Sequence, residues 1–500
     1  MTSQPANPHP EEPSNISRRQ MFWTVFPPIM LPIFLAVADG STISTALPAI
    51  ARSLGDVERV VWVVVSYLVA NTIAAPVYGR LADIYGRRTL MQVALLTYMA
   101  GSIGCASASS MTVLTLFRCL QGLGGGGLMT LSQALIGESV PVRDRGHFQG
   151  HLATMIVLGS TIGPVAGGFL TEWFGWRSIF LVTLPLTVLA MFLVHRLPQR
   201  PGTGGRVAFD GLGLILLTAF VTPLLVAMEQ IKRLSPEALG TILGLVGLSV
   251  AALLALIWQE KRAGAPLLPL GLLKLPAIWR ANAMSGFAGA SMTAQVTFLP
   301  LYLQVVDGAT PSEIGVLLLP FSAGVGLGSV MTGRMISRTG RTAIFPTVSL
   351  WVTALSLFTL AFYARQLSPI QLPMVMIFGA FCQGSAMPVA QLTVQHVAGP
   401  RQLGAGAGAV QLSRSLGSAL GVALVGAVLF TVLGLSGSDT AALFFQMVQT
   451  GPDIMDTLDP LHRAVVQDEV ASAFRAVFLT IGSFSVCIAL LAWTLPIRRL

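Results

Sequence analysis

The stretch Gly79-Arg80-Leu81-Ala82-Asp83-Ile84-Tyr85-Gly86-Arg87-Arg88-Thr89 joins two strongly apolar segments. A short polar hinge between long apolar runs marks a chain turning back at a membrane surface. The pattern returns downstream as Gly333-Arg334-Met335-Ile336-Ser337-Arg338-Thr339-Gly340-Arg341-Thr342. In both copies a glycine–arginine pair opens the hinge, and a second pair follows seven residues later. A hinge repeated after corresponding helices predicts a duplicated helical bundle, and such a bundle in a membrane predicts a transporter.

Composition agrees with that reading. Of 500 residues, 53% are hydrophobic and only 10% charged, and the mean hydropathy is +0.74. So few charges cannot cover a water-soluble surface, whereas lipid-facing helices need none. The formal charge of +9 then belongs to loops at one membrane face, and no basic run interleaved with aromatics indicates nucleic acid. Cys105, Cys119, Cys382 and Cys487 lie in apolar segments without metal-ligand spacing and read as packing residues. No metal or cofactor is expected. Nor is an enzyme, because His147, His151, His195, His396 and His462 sit in loops or at helix ends without a nucleophile or metal partner.

Fourteen apolar runs of about 20 residues, each long enough for ~30 Å of hydrocarbon, fit between residues 26 and 495. The expected fold is therefore all-α and polytopic. Its parts are a disordered cytoplasmic tail over 1–25, a six-helix bundle over 26–200, two additional helices over 201–265, and a second six-helix bundle over 266–500 with a long outer loop near 432–472. With both termini cytoplasmic, 20 of the 30 Lys and Arg residues fall inside and eight outside, as the positive-inside bias requires. Both bundles begin on the same side, so the substrate path is expected between them near the midplane.

Asp39 is the only acidic residue well inside a predicted helix core. Inserting such a carboxylate costs ~3 kcal/mol or more, which makes it a functional-site candidate, although a structural carboxylate bonded to helix ends would look the same. Arg118 lies at matching depth on the fourth helix, and Gln121 and Gly122 share its helical face. Arg414 is its second-half counterpart, nearer the cytoplasmic end, where a long side chain can also snorkel to the headgroups. Gln121, Gln295, Gln304, Gln383 and Arg414 are candidates for lining the cavity. On the fifth helix, Gly159, Gly163 and Gly167 form a stripe for close helix contact, with Pro164 and Gly168 beside it. Within the hinge, Gly79 and Gly86 permit tight turns. Asp83 can bond a neighbouring helix N-terminus or pair with Arg87, and Glu138 is a candidate partner for Arg80 or Arg87. Together with Arg88, Gly333, Arg334, Gly340 and Arg341, this cluster is expected to latch the halves on the cytoplasmic side.

These residues resemble a known family. Gly79-x-Leu81-Ala82-Asp83-x2-Gly86-Arg87-Arg88 looks like motif A of the major facilitator superfamily, and the helix-4 arginine pattern looks like its motif B. Gly159-x3-Gly163-Pro164-x2-Gly167-Gly168 matches the antiporter-associated motif C. Asp39 to Pro48, and Trp176-Arg177-Ser178-Ile179-Phe180 with Pro185, resemble helix-1 and helix-6 motifs of drug exporters. With fourteen helices, the chain is similar to the drug:proton antiporter branch of EmrB/QacA type. Two positions depart from that pattern: Ile84 stands where a basic residue often follows the motif A aspartate, and Thr183 where the helix-6 motif usually has asparagine.

The resemblance implies proton-coupled efflux of amphipathic, often cationic compounds across the inner membrane by alternating access. Asp39 and Arg118 would couple protons, Gly163 and Pro164 would bend helix 5, and Asp83 and Arg87 would gate. On the reading of Asp39 as the coupling acid, a proton and a cationic substrate competing for it would give antiport. The alternative is a dedicated exporter of one metabolite, antibiotic or siderophore. The proton is the coupling ion. Expected partners are a small-molecule substrate and membrane lipid, with a periplasmic adaptor and outer-membrane channel as further candidates, and the chain is expected to act as a monomer.

Overall fold

The computed structural model describes residues 18–55, 59–199, 210–231, 238–268, 270–309, 311–367, 371–436, 440, 443–444, 446–447 and 459–496. Among them there is no extended strand, and the long elements are helices: α1 (Arg18–Leu54), α2 (Val60–Tyr85), α3 (Arg87–Ala106), α4 (Met111–Ser139), α5 (Val142–Phe174) and α6 (Ser178–His195). They continue as α7 (Gly211–Ile231), α8 (Ala238–Arg262), α9 (Pro276–Val305), α10 (Pro311–Thr339), α11 (Ile344–Tyr363), α12 (Gln371–Ala398), α13 (Leu403–Ser436) and α14 (Pro460–Trp493).

Twelve of these helices are long and apolar enough to cross a membrane, where fourteen spans are expected from the sequence. The two outside that set are α4 and α9. Each buries more than half of its residues against other helices, and each carries what lipid would not accept. In α4 these are the buried Arg118, Gln121 and Gly124–Gly127; in α9 they are the buried Asn282, Ser285, Ser291 and Gln295. Small and polar residues belong at helix–helix contacts, so burial lowers apolarity along the whole element.

Helices α1–α6 pack together, α9–α14 pack together, and α7–α8 form a pair resting on α2 and α13. The halves meet along two helix pairs, α2 on α13 and α5 on α10. Glycines set both contacts. A Cβ on Gly79 would stand 2.3 Å from the Gly404 carbonyl oxygen, and one on Gly333 would stand 2.0 Å from that of Gly146. Only bare backbone allows such an approach.

Several boundaries differ from the sequence reading. Helix α1 already begins at Arg18, so residues 18–25 are helical and not tail. The hinge is far shorter than a loop from 79 to 89. Helix α2 runs through Gly79 to Tyr85, Gly86 alone leaves helical geometry with φ +93°, and α3 starts at Arg87. Gly79 thus serves close packing, and Gly86 makes the turn. Gly340 repeats it with φ +67°, and in both copies the glycine N–H bonds the carbonyl four residues back. The outer loop expected over 432–472 is also shorter, because α13 continues to Ser436 and α14 begins at Pro460. Phe444 and Met447, within that stretch, are buried, with Phe444 edge-on to Phe430.

Candidate functional site

Three polar assemblies stand inside this fold. The first surrounds Asp39, 6% exposed, and Arg118, 0% exposed. Arg118 Nη1 donates to Asp39 Oδ2 at 2.7 Å and to Gln121 Oε1 at 2.7 Å, while Gln121 Nε2 donates to Asp39 Oδ1 at 3.0 Å. Both carboxylate oxygens are therefore satisfied, as a buried charge requires. Arg118 Nε bonds the Val63 carbonyl at 3.2 Å, and its guanidinium lies 4.2 Å from the centre of the Tyr67 ring. Gln121 also donates to Ser102 Oγ at 2.8 Å, which meets Thr183 Oγ1 at 3.2 Å. Thr183 thus keeps a polar link from α6 to the pair without an asparagine. Tyr67 and Ser102 escaped the sequence reading, because one uncharged polar residue in an apolar run gives no signal above packing.

The second assembly is the seam between α1 and α5. Ser41 Oγ donates to the Gly159 carbonyl at 3.0 Å. A Cβ on Gly163 would fall 1.9 Å from Ser41 Oγ and 2.9 Å from the Ala38 carbonyl oxygen, and one on Gly167 would fall 2.6 Å from the Thr42 carbonyl oxygen. Pro164 lies inside α5 beside them. Gly168 differs, since a Cβ there meets nothing within 4 Å. The Asp39 segment of α1 is consequently seated against the glycine face of α5, and α5 is the helix that meets α10 in the other half. Gly163→Ala is expected to cut transport more than tenfold, while Gly168→Ala stays within twofold of the unaltered protein. Equal losses from both would show that the stripe acts other than through this seam.

The third assembly closes the halves at the hinge. Asp83 accepts N–H bonds from Gly404 and Ala405 at 2.9 Å each, so the first half caps the N-terminus of α13 with an anion. Arg87 pairs with Asp83 at 2.8 Å and Glu138 at 2.6 Å, and it donates to the Pro400 carbonyl at 2.9 Å. The second hinge copy behaves alike with weaker chemistry, for Ser337 Oγ, at the place of Asp83, accepts the His147 N–H at 3.2 Å. Deeper in, Gln395 Nε2 donates across the halves to the Gln133 carbonyl at 2.8 Å. Arg88 instead bonds the Leu197 carbonyl at 2.6 Å within its own half. Arg80 is partly buried near Glu260 of α8, and Arg341 is exposed. Arg334 stands near His151, on the α5 side of the contact between halves.

A cavity of about 80 Å3 lies between the halves, and Gln383 and Arg414 are on its wall. Gln121 belongs to the Asp39 network, Gln295 bonds Gln383 at 2.5 Å, and Gln304 sits at the end of α9, away from the cavity. Asp39 is not on this wall either.

The sequence pattern of the Major Facilitator Superfamily matches residues 29–422. The chain belongs to this superfamily. Among curated relatives, an uncharacterised MFS-type transporter of Mycobacterium tuberculosis is 28% identical over 92% of this chain and 68% of its own length. Multidrug transporter protein MdtP of Bacillus subtilis is 29% identical over 80% of this chain and 74% of its own. MFS-type efflux transporter pyiT of Pyricularia grisea is 31% identical over 81% and 71%. The solved proton:xylose symporter XylE of E. coli shares the fold with a TM-score of 0.62 at 16% identity, covering 96% of this chain and 97% of that one. The chain is a multi-pass membrane transporter of the superfamily and not an enzyme, and such transporters need no cofactor.

Proposed function

We propose that this protein is a proton-coupled efflux antiporter for amphipathic small molecules, with both termini cytoplasmic. The observation that carries it is the Asp39–Arg118–Gln121 cluster, a titratable acid bound to a fixed cation at the helix seam that controls α5. In this reading α4 and α9 also cross the bilayer, giving fourteen spans. The hinge end faces the cytoplasm, so the conformation described is closed inward. The names of MdtP and pyiT support export as the direction.

Competition between substrate and proton for Asp39 itself is not part of the mechanism, because Asp39 is enclosed by its own half, off the cavity wall. Coupling runs through α1 instead. Protonation weakens the pair with Arg118 and changes how the segment from Ala38 to Thr45 seats on Gly159, Gly163 and Gly167. The proline-bearing α5 then shifts against α10, and the Asp83–α13 closure releases. At 100 mV one inward proton supplies ~2.3 kcal/mol, enough for more than a tenfold gradient of a neutral solute.

Dye efflux in inverted membrane vesicles tests this reading. An imposed proton gradient is expected to drive transport at least fivefold above the rate without it, and collapse of the gradient is expected to abolish the difference. Equal rates in both conditions would refute proton coupling.

A further inference from the structure

The cavity between the halves is mostly apolar, and no acid lines it. Helix α5 contributes only Ala153, Ile156 and Val157, and the polar side chains all come from the second half, Gln383, Arg414 and Ser418 among them. Arg414 stands eleven residues from Leu403, where α13 starts, which is about 16 Å along a helix of 34 residues. Its side chain lies on the cavity wall. Its Nη1 lies 3.9 Å from Met387 Sδ, and among the described residues no carboxylate reaches it. A fixed cation held there without a counter-charge is costly, and cost of that kind marks function.

Gln383 adds an independent observation. Gln295 Nε2 donates to the Ser291 carbonyl at 3.2 Å and to Gln383 Oε1 at 2.5 Å. A backbone carbonyl can only accept, so the Gln295 atom is its nitrogen, and the Gln383 atom facing it is its oxygen. Gln383 Nε2 is then left buried and unpartnered on a residue of the cavity wall. A planar guanidinium and a free amide N–H2 around one small space complement a carboxylate, whose two oxygens only accept.

We propose that this cavity is the subsite for the carboxylate of an amphipathic organic acid, with Arg414 as its ion partner and Gln383 as its orienting donor. The inference deepens the efflux reading and reverses its expected charge preference, from cations to organic anions. At about 80 Å3 the space is well below the ~300–1,000 Å3 of a drug-sized site, so it takes the charged group and leaves the apolar remainder outside. Occupancy neutralises the lone cation. The loaded carrier therefore passes through the closed intermediate more readily than the empty one, as an exporter needs.

The test uses full-length protein in lipid nanodiscs and three matched pairs: 1-naphthoate and 1-naphthamide, dansyl-glycine and dansyl-glycinamide, indole-3-acetate and indole-3-acetamide. Binding is read by fluorescence titration and melting temperature. At least one carboxylate is expected to bind tenfold or more tighter than its amide. Arg414→Gln should bring that pair within twofold and melt no lower than the unaltered protein, because it removes a lone charge. Arg414→Lys, which keeps the charge and loses the fork, should show an intermediate preference and serves as the deciding variant if Arg414→Gln fails to fold. Gln383→Leu should weaken the carboxylate several-fold and leave the amide unchanged. The proposal is overturned by the absence of preference in all three pairs, or by a preference that survives both arginine variants. Stabilisation by chloride without discrimination within the pairs overturns it too, as the mark of a counter-ion only. Gradient-driven dye efflux without carboxylate preference sinks this inference and spares the efflux reading; preference without gradient-driven efflux does the reverse.

Discussion

Asp39→Asn is expected to lower gradient-driven efflux in inverted vesicles below a tenth of the normal rate while leaving downhill substrate exchange measurable. Asparagine has nearly the shape of aspartate and can still accept from Arg118, but it neither titrates nor balances that charge. Arg118 is fully buried and would keep neutral partners only: the new amide, the Val63 carbonyl, Gln121 and the Tyr67 and Phe180 rings. Removing one member of a buried pair costs about 3–5 kcal/mol, so the melting temperature should fall as well. Adding Arg118→Leu to Asp39→Asn should recover part of that stability, since neither charge is then stranded, and transport should stay uncoupled. The two readouts separate the roles: a purely structural carboxylate would regain proton-driven efflux along with stability. Full coupling in well-expressed Asp39→Asn would end the proposed mechanism.

The second large effect is expected at Gly404. A Cβ there would sit 2.2 Å from the Gly79 carbonyl oxygen and 2.9 Å from Asp83 Oδ1, so valine cannot occupy the closed hinge. The two N–H bonds from α13 to Asp83 would break with it. Hydrogen bonds to charged groups contribute about 1.5–3 kcal/mol each, and losing both shifts the balance between conformations by a hundredfold or more. Cysteines placed at Tyr85 and Arg401, both exposed on this face, should cross-link at least fivefold less in Gly404→Val than in its absence, and efflux should stop. Asp83→Asn removes the charge but not the close approach, so its effect should be the smaller of the two. Unchanged cross-linking in Gly404→Val would show that the halves are held by something other than this contact.

Much of the Asp39 site was legible before any coordinates because it depends on depth. An aspartate or arginine within an apolar run is costly wherever the helix points, and 1.5 Å per residue puts Asp39 and Arg118 at one level. The glycine–proline stripe of α5 was legible for a similar reason, its spacing being a property of a single helix. Which glycines are in contact was not. Gly163 and Gly168 look alike in the chain, yet only the first faces α1. In the same way Arg80, Arg87 and Arg88 read as one basic cluster, and the structure divides them among α8, the closure between halves, and the end of α6.

What the sequence by itself determined is a polytopic all-α chain, its duplicated hinge, its buried pair and a superfamily likeness. All of these follow from hydropathy and local spacing, which report how far along a helix a residue lies. Tertiary structure alone decided which way each residue faces and what it meets. It put Asp83 on backbone N–H groups 321 and 322 positions away, took Asp39 off the cavity wall, and turned Arg414 toward the cavity. Rotation about a helix axis and the pairing of distant helices are settled by packing of the whole bundle, which spacing along one helix does not report.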